Sequence, residues 1–98
     1  MTELIKTKKP AVSSTLNCSN VKVFSVQSSV NGSGKVSAIV TLEGSLDGIG
    51  WFTIAEMEPK GEDYATDGGT FEALWSFVRA HVQDMTGDEV SVFLAKRG

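Results

Sequence analysis

Cysteine, proline, histidine and tyrosine are scarce in this chain: its 98 residues hold one Cys, two Pro, one His and one Tyr. The lone Cys18 rules out an internal disulfide, which agrees with a reducing compartment. A classical zinc site takes several His or Cys ligands, and one of each argues against it. No apolar stretch approaches the ~20 residues of a membrane-spanning helix. The start, Met1-Thr2-Glu3-Leu4-Ile5-Lys6, lacks the apolar core of a signal peptide. The expectation is a chain made and kept in a cytoplasm, or assembled there into something larger. Asn17-Cys18-Ser19 and Asn31-Gly32-Ser33 have N-glycosylation spacing, but without a secretion signal both are read as chance.

Catalytic signatures are also missing. There is no Gly-x-Ser-x-Gly elbow, and the glycines of residues 31–34 lack the Lys-Ser/Thr ending and following helix of a phosphate loop. Nucleophilic catalysis by Ser or Cys needs a base and an orienting acid. Cys18 and His81 supply two such groups, yet no local motif places them together. The chain is expected not to be an enzyme and to need no cofactor.

What is present is globular: 41% apolar content with two tryptophans, in a length that suits one domain. The net charge of −3 hides a pattern. Residues 1–12 carry Lys6, Lys8 and Lys9 against Glu3, and Lys96 and Arg97 stand near the other end, so each end is +2 and the body between them is −7. An acidic body is a poor match to nucleic acid, whose affinity comes from cationic contacts to phosphate; neither nucleic acid nor membrane is expected as a partner. The basic segment 1–12, polar and closed by Pro10, reads as an extended or flexible arm suited to an acidic protein surface, with residues 13–98 as the domain.

From residue 13 the chain reads as strands punctuated by turns. Residues 21–26 suggest a strand with apolar groups on both faces. Asn31-Gly32-Ser33-Gly34 is a turn cluster, since Asn and Gly tolerate positive φ. From Lys35 to Leu46, Val36, Ala38, Val40 and Leu42 alternate with Ser37, Ile39, Thr41 and Glu43, the period of a half-buried strand. Asp47-Gly48-Ile49-Gly50 turns the chain into the strand Trp51–Ala55. Residues 58–70, with Pro59, three glycines and Glu58, Glu62, Asp63 and Asp67, read as a long acidic connection. Its carboxylates, with Asp47, are the oxygen ligands calcium takes, but the EF-hand order is missing, and a solvated loop is the plainer reading. Residues 71–76 suit a short helix or a turn. Phe77–Val82 is a strand, Met85-Thr86-Gly87-Asp88 a turn, and Val90–Leu94 the last strand. Many short strands without a long amphipathic helix predict an all-β fold: a small antiparallel β-sandwich or jelly-roll-like barrel.

His81 and Arg79 alternate against Val78, Ala80 and Val82 and should face outward, Arg79 paired with a loop carboxylate such as Asp47. Trp51 and Trp75 suit core packing first. Exposed with Phe71 beside Gly68-Gly69, they would instead offer an aromatic surface to a sugar or a partner.

Two blocks then carry a resemblance: Glu43-Gly44-Ser45-Leu46-Asp47-Gly48-Ile49-Gly50-Trp51, and Trp75-Ser76-Phe77-Val78-Arg79-Ala80 followed by Met85-Thr86-Gly87. They resemble the Ser-x-Asp-Gly-x-x-Trp turn, the Trp-x-Tyr/Phe-Val-Arg-Ala strand and the Thr-Gly turn of small virion proteins of tailed phages. They are also similar to a reduced discoidin-type β-sandwich, although this chain is shorter and lacks the discoidin cysteine pair. The resemblance spans residues 36–95. It implies a non-catalytic structural protein of the virion: a head decoration protein that bridges capsid subunits, ahead of a neck, tail or fibre component. Its implied partners are the major capsid protein or another virion protein, and further copies of itself, a trimer by preference. Lys6, Lys8 and Lys9 of the arm, with Phe71, are the expected contacts. A carbohydrate-binding module is the alternative.

Overall fold

A computed structural model describes residues 1–72 and 74–97. Among them every regular element is a strand: β1 (Thr2–Thr7), β2 (Ala11–Val12), β3 (Leu16–Asn17), β4 (Val23–Ser45), β5 (Phe52–Met57), β6 (Lys60–Glu72), β7 (Phe77–Thr86) and β8 (Glu89–Arg97). All the pairings are antiparallel, so the expected all-β antiparallel fold is what the chain adopts.

β4 organises the molecule. Its 23 residues would reach about 75 Å if straight, yet the longest dimension of the molecule is 41 Å. The strand is therefore folded over on itself, and its ladder is interrupted between Asn31 and Lys35. A Cβ placed on Gly32 would stand 3.0 Å from Cγ1 of Val36, a contact that a straight strand would put several residues out of reach. The Asn31–Gly34 cluster is thus a corner within one strand and not the chain reversal expected from its residues. Asn and Gly permit both outcomes, and long-range pairing selects this one.

Partner strands bend at the same corner. β8 pairs with residues 23–31 of β4 and β7 with residues 37–45, on the same side. Gly87 links them at φ 142°, with its α-carbon so close to Asn31 that a Cβ would meet that carbonyl oxygen at 2.7 Å; only glycine fits. Along the other edge of β4, Asp63 takes φ 63° and accepts a 2.7 Å hydrogen bond from the Gly34 N–H. The outcome is two layers, β1-β8-β4-β6 and β2/β3-β7-β4-β5, forming one sheet nearly closed into a barrel.

The inward residues of both halves of β4 meet across the layers. Phe24, Val26, Val30, Val36, Ala38, Val40 and Leu42 join Val78, Ala80, Val82, Val90, Val92 and Leu94 in one buried cluster. Burying each Val or Leu side chain contributes roughly 1.5–3 kcal/mol, and the alternation read from residues 35–46 and 77–82 supplies five of the ten.

Two expected boundaries change. The segment 1–12 is extended, but it does not stand off the domain: Thr2–Thr7 pair with residues 90–94 of β8, and Ala11–Val12 pair with β7. A register shift between Glu3 and Ile5 lets consecutive Leu4 and Ile5 both pack on the core, as a β-bulge does. That removes the alternation by which a strand is recognised. Likewise, residues 60–72 form β6 where a loop was expected. Gly, Asp and Glu are poor strand formers, but β6 is an edge strand, nearly all exposed, paired on one side to β4. Charge on an edge is a common protective device. Residues 71 and 72 end this strand, and no helix follows at residues 74–76; Ala73 lies outside the described residues.

Candidate docking surface

One end of the sandwich, where β4 stops and β7 begins, gathers the side chains of most functional interest. The turn 46–51 is built by two residues. Asp47 Oδ1 accepts hydrogen bonds from Ser45 Oγ at 3.0 Å, the Ile49 N–H at 2.8 Å and the Gly50 N–H at 2.9 Å. Ser45 Oγ in turn accepts from the Gly48 N–H at 2.8 Å. The Ile49 N–H foremost, then that of Gly50 and the Ser45 hydroxyl, hold the Asp47 carboxyl below its ordinary range. Both anchoring residues are polar, yet the turn they fix presents apolar groups to solvent: Leu46 is 66% and Ile49 84% exposed.

The next residue pair continues the patch. Phe52, 62% exposed, stacks on Trp75 with ring centroids 5.5 Å apart and planes 17° from parallel, and Leu74 beside it is 82% exposed. Trp75 itself closes the end of the core. It lies so close to Gly44 that a Cβ there would meet its Cγ at 2.6 Å and Cδ1 of Ile54 at 2.7 Å. Leu46, Ile49, Phe52 and Leu74 therefore project from a framework pinned by hydrogen bonds and by a ring seated on the core. Large exposed apolar side chains gathered at one end of the sheet mark an interaction site.

Round the edge of this patch, on the outer face of the second layer, sits a half-buried polar cluster. Glu43 and Arg79 face each other in register, and Arg79 Nε donates to Glu43 Oε1 at 2.7 Å, with the two side chains 27% and 13% exposed. The Arg79 guanidinium also lies over the Trp51 ring, 4.1 Å from its centroid, a cation–π contact. His81 Nδ1 stands 3.5 Å from Glu43 Oε2, and Gln83 Nε2 donates to Thr41 Oγ1 at 3.0 Å. The expected outward faces of His81 and Arg79 hold. The partner of Arg79 is Glu43, however, and not Asp47, whose acceptor atom is engaged by its own turn. Outward alternation leaves the cross-strand partner open; only the β4–β7 register decides it.

The remaining predicted positions scatter. Lys6 Nζ is 3.7 Å from Glu89 Oε1, and Lys8 and Lys9 are exposed beyond β1. Phe71 faces Phe24 across the β4–β6 ladder, its ring 5.8 Å from that of Phe24 and packed against the core; it does not project from a loop. Asp63 and Asp67 are engaged with backbone, Asp67 Oδ2 accepting from the Glu58 N–H at 3.0 Å. No group of three or more potential metal ligands occurs among the described residues. Cys18 is buried, and burial pushes its thiol pKa up, with Lys96 partly opposing. Its N–H binds Ser76 O, next to the start of β7, whereas His81 lies midway along β7 opposite Val12, so the two do not meet.

Leu46, Ile49, Phe52 and Leu74 escaped the sequence reading as contacts. The available signal was apolar residues flanking a turn whose other members are Asp and Gly. Against protein-family models, curated proteins and solved structures, the chain has no match.

Proposed function

We propose that this protein is a non-catalytic docking module, a structural component of a phage particle, and within that class a decoration protein seated on the capsid. The observation that carries the docking role is the exposed apolar end formed by Leu46, Ile49, Phe52 and Leu74. An apolar surface on a mobile loop would lose more conformational entropy on binding; here hydrogen bonds fix the backbone of the 46–51 turn and Trp75 stacks on Phe52. The virion assignment rests on the resemblance of the Ser45–Trp51 and Trp75–Ala80 blocks, which are the residues that build this end. The partner in this reading is the major capsid protein or another virion protein.

Quantitative mass spectrometry of purified particles of the source phage tests the assignment. The chain is expected in many copies per particle, and particles assembled without it should lose infectivity at a lower temperature. Its absence from purified particles, or unchanged heat tolerance without it, would overturn the proposal. A carbohydrate-binding module makes a different demand, a free aromatic face. One face of Trp51 is taken by Arg79 and one face of Trp75 by Phe52; binding on a glycan array would favour that alternative over ours.

A further inference from the structure

Among the described residues, the first layer, β1-β8-β4-β6, ends in two strands with nothing paired to their outer edges, β1 on one side and β6 on the other. Open edges carry unpaired backbone donors and acceptors and are templates for strand addition. β1 itself is neutral, Glu3 against Lys6, but Lys8 and Lys9 follow directly on it, so the segment that bears this edge is basic while β6 is acidic. Residues 1–12 hold Lys6, Lys8 and Lys9 against Glu3, for +2, whereas β6 holds Glu62, Asp63, Asp67 and Glu72 against Lys60, for −3.

Direction agrees with charge. β1 runs opposite to β8, β8 opposite to β4, and β4 opposite to β6. β1 and β6 of one layer are therefore antiparallel to each other. A second copy laid alongside in the same orientation brings its β6 antiparallel to the first copy's β1, and the sheet continues without a reversal. Pairing β6 with β6 would instead set acidic edge against acidic edge.

We infer that copies of this chain associate head to tail, β1 of one copy pairing antiparallel with β6 of the next. Such a contact is heterologous: it closes into a ring where the rotation per copy permits, and otherwise continues as a filament. Lys6 near the end of β1 with Lys8 and Lys9 just past it, and the carboxylates on β6, each oppose self-pairing of their own edge. Set against each other they attract, so the same charges that block like-edge pairing select the unlike pair. This association does not depend on the particle assignment and is measurable on the isolated protein.

Sedimentation velocity and native mass spectrometry at low salt test it with two charge-reversed variants. K6E/K8E/K9E takes residues 1–12 from +2 to −4, and E62K/E72K takes β6 from −3 to +1; Asp63 and Asp67 are kept because they bind the backbone N–H groups of Gly34 and Glu58. The wild type should exceed monomer mass, and added salt should weaken the association. Each variant alone should self-associate at least ~tenfold more weakly while keeping the wild-type circular dichroism. An equimolar mixture should recover association, because each then offers the edge the other lacks. A monomeric wild type at all concentrations overturns the inference. So does an E62K/E72K variant that associates like wild type, the signature of β1–β1 pairing or another surface, and so does a mixture that stays monomeric.

Discussion

Replacing Gly44 by alanine is the sharpest single test of how the apolar end is held. The added methyl would lie 2.6 Å from Cγ and 2.7 Å from Cδ2 of Trp75, and 2.7 Å from Cδ1 of Ile54. An indole on one side of the site cannot yield by rotating a terminal bond, so the ring has to shift as a body and with it the Phe52 stack. Overpacking of this kind costs typically 1–3 kcal/mol. For a domain of this size each kcal/mol lowers Tm by roughly 4–8 °C, so G44A should lose about 4–24 °C by calorimetry. Tryptophan emission should change with it, because Trp75 moves. Ile54→Val removes one of the clashing atoms; alone it costs about 0.5–1.5 kcal/mol, but in the G44A background it should cost less, a positive coupling between touching residues. Gly50→Ala is the control, since its nearest atom would be Asp47 Oδ1 at 4.0 Å. If G44A kept wild-type Tm and emission, Trp75 would not be the plug described above.

Three further outcomes follow from the same geometry. A double-mutant cycle on Glu43→Gln and Arg79→Met should give a coupling of about 1–2 kcal/mol, more than a surface pair, because both groups are less than a third exposed and in register. The Asp47 carboxyl is held low by the backbone of its turn, so its stabilisation is complete above the unfolded value of 3.8 and lost as pH falls through the lower folded value. Thermal melts of Asp47→Asn should therefore lose less between pH 5 and pH 2.5 than those of wild type. Finally, a thiol reagent should leave Cys18 unmodified in the native protein and label it on unfolding, since the thiol is buried and its pKa raised; rapid native labelling would contradict its place in the core.

The strands that alternate cleanly were legible from the residues. Val36 to Leu42 and Val78 to Val82 show period two because one face meets the core and the other meets solvent. The Asp47 turn was legible for a related reason, its chemistry being local. Legibility failed where distant pairing overrides local preference. β6 is rich in Gly and acid and becomes a strand only because β4 offers a ladder along its whole length. Leu4 and Ile5 share a face through a bulge that erases the alternation. The Asn31–Gly34 corner is written in turn residues, yet whether they reverse the chain or fold one strand onto two layers depends on β7 and β8. The apolar end was missed for a third reason. Leu46, Ile49, Phe52 and Leu74 are ordinary one by one, and only the meeting of two chain segments 20 or more residues apart brings them to one end of the sheet.

The docking role stands or falls on that surface. Particles stripped of this protein, incubated with recombinant wild type or with Leu46→Ser/Ile49→Ser/Leu74→Ser, provide the direct measurement. These three side chains are more than half exposed, so the variant should melt within a few degrees of wild type. Occupancy titrations should show wild type rebinding and the variant weakened at least about tenfold, roughly what losing one buried apolar anchor costs. A folded variant that rebinds with wild-type affinity would contradict the account and place the contact elsewhere on the molecule.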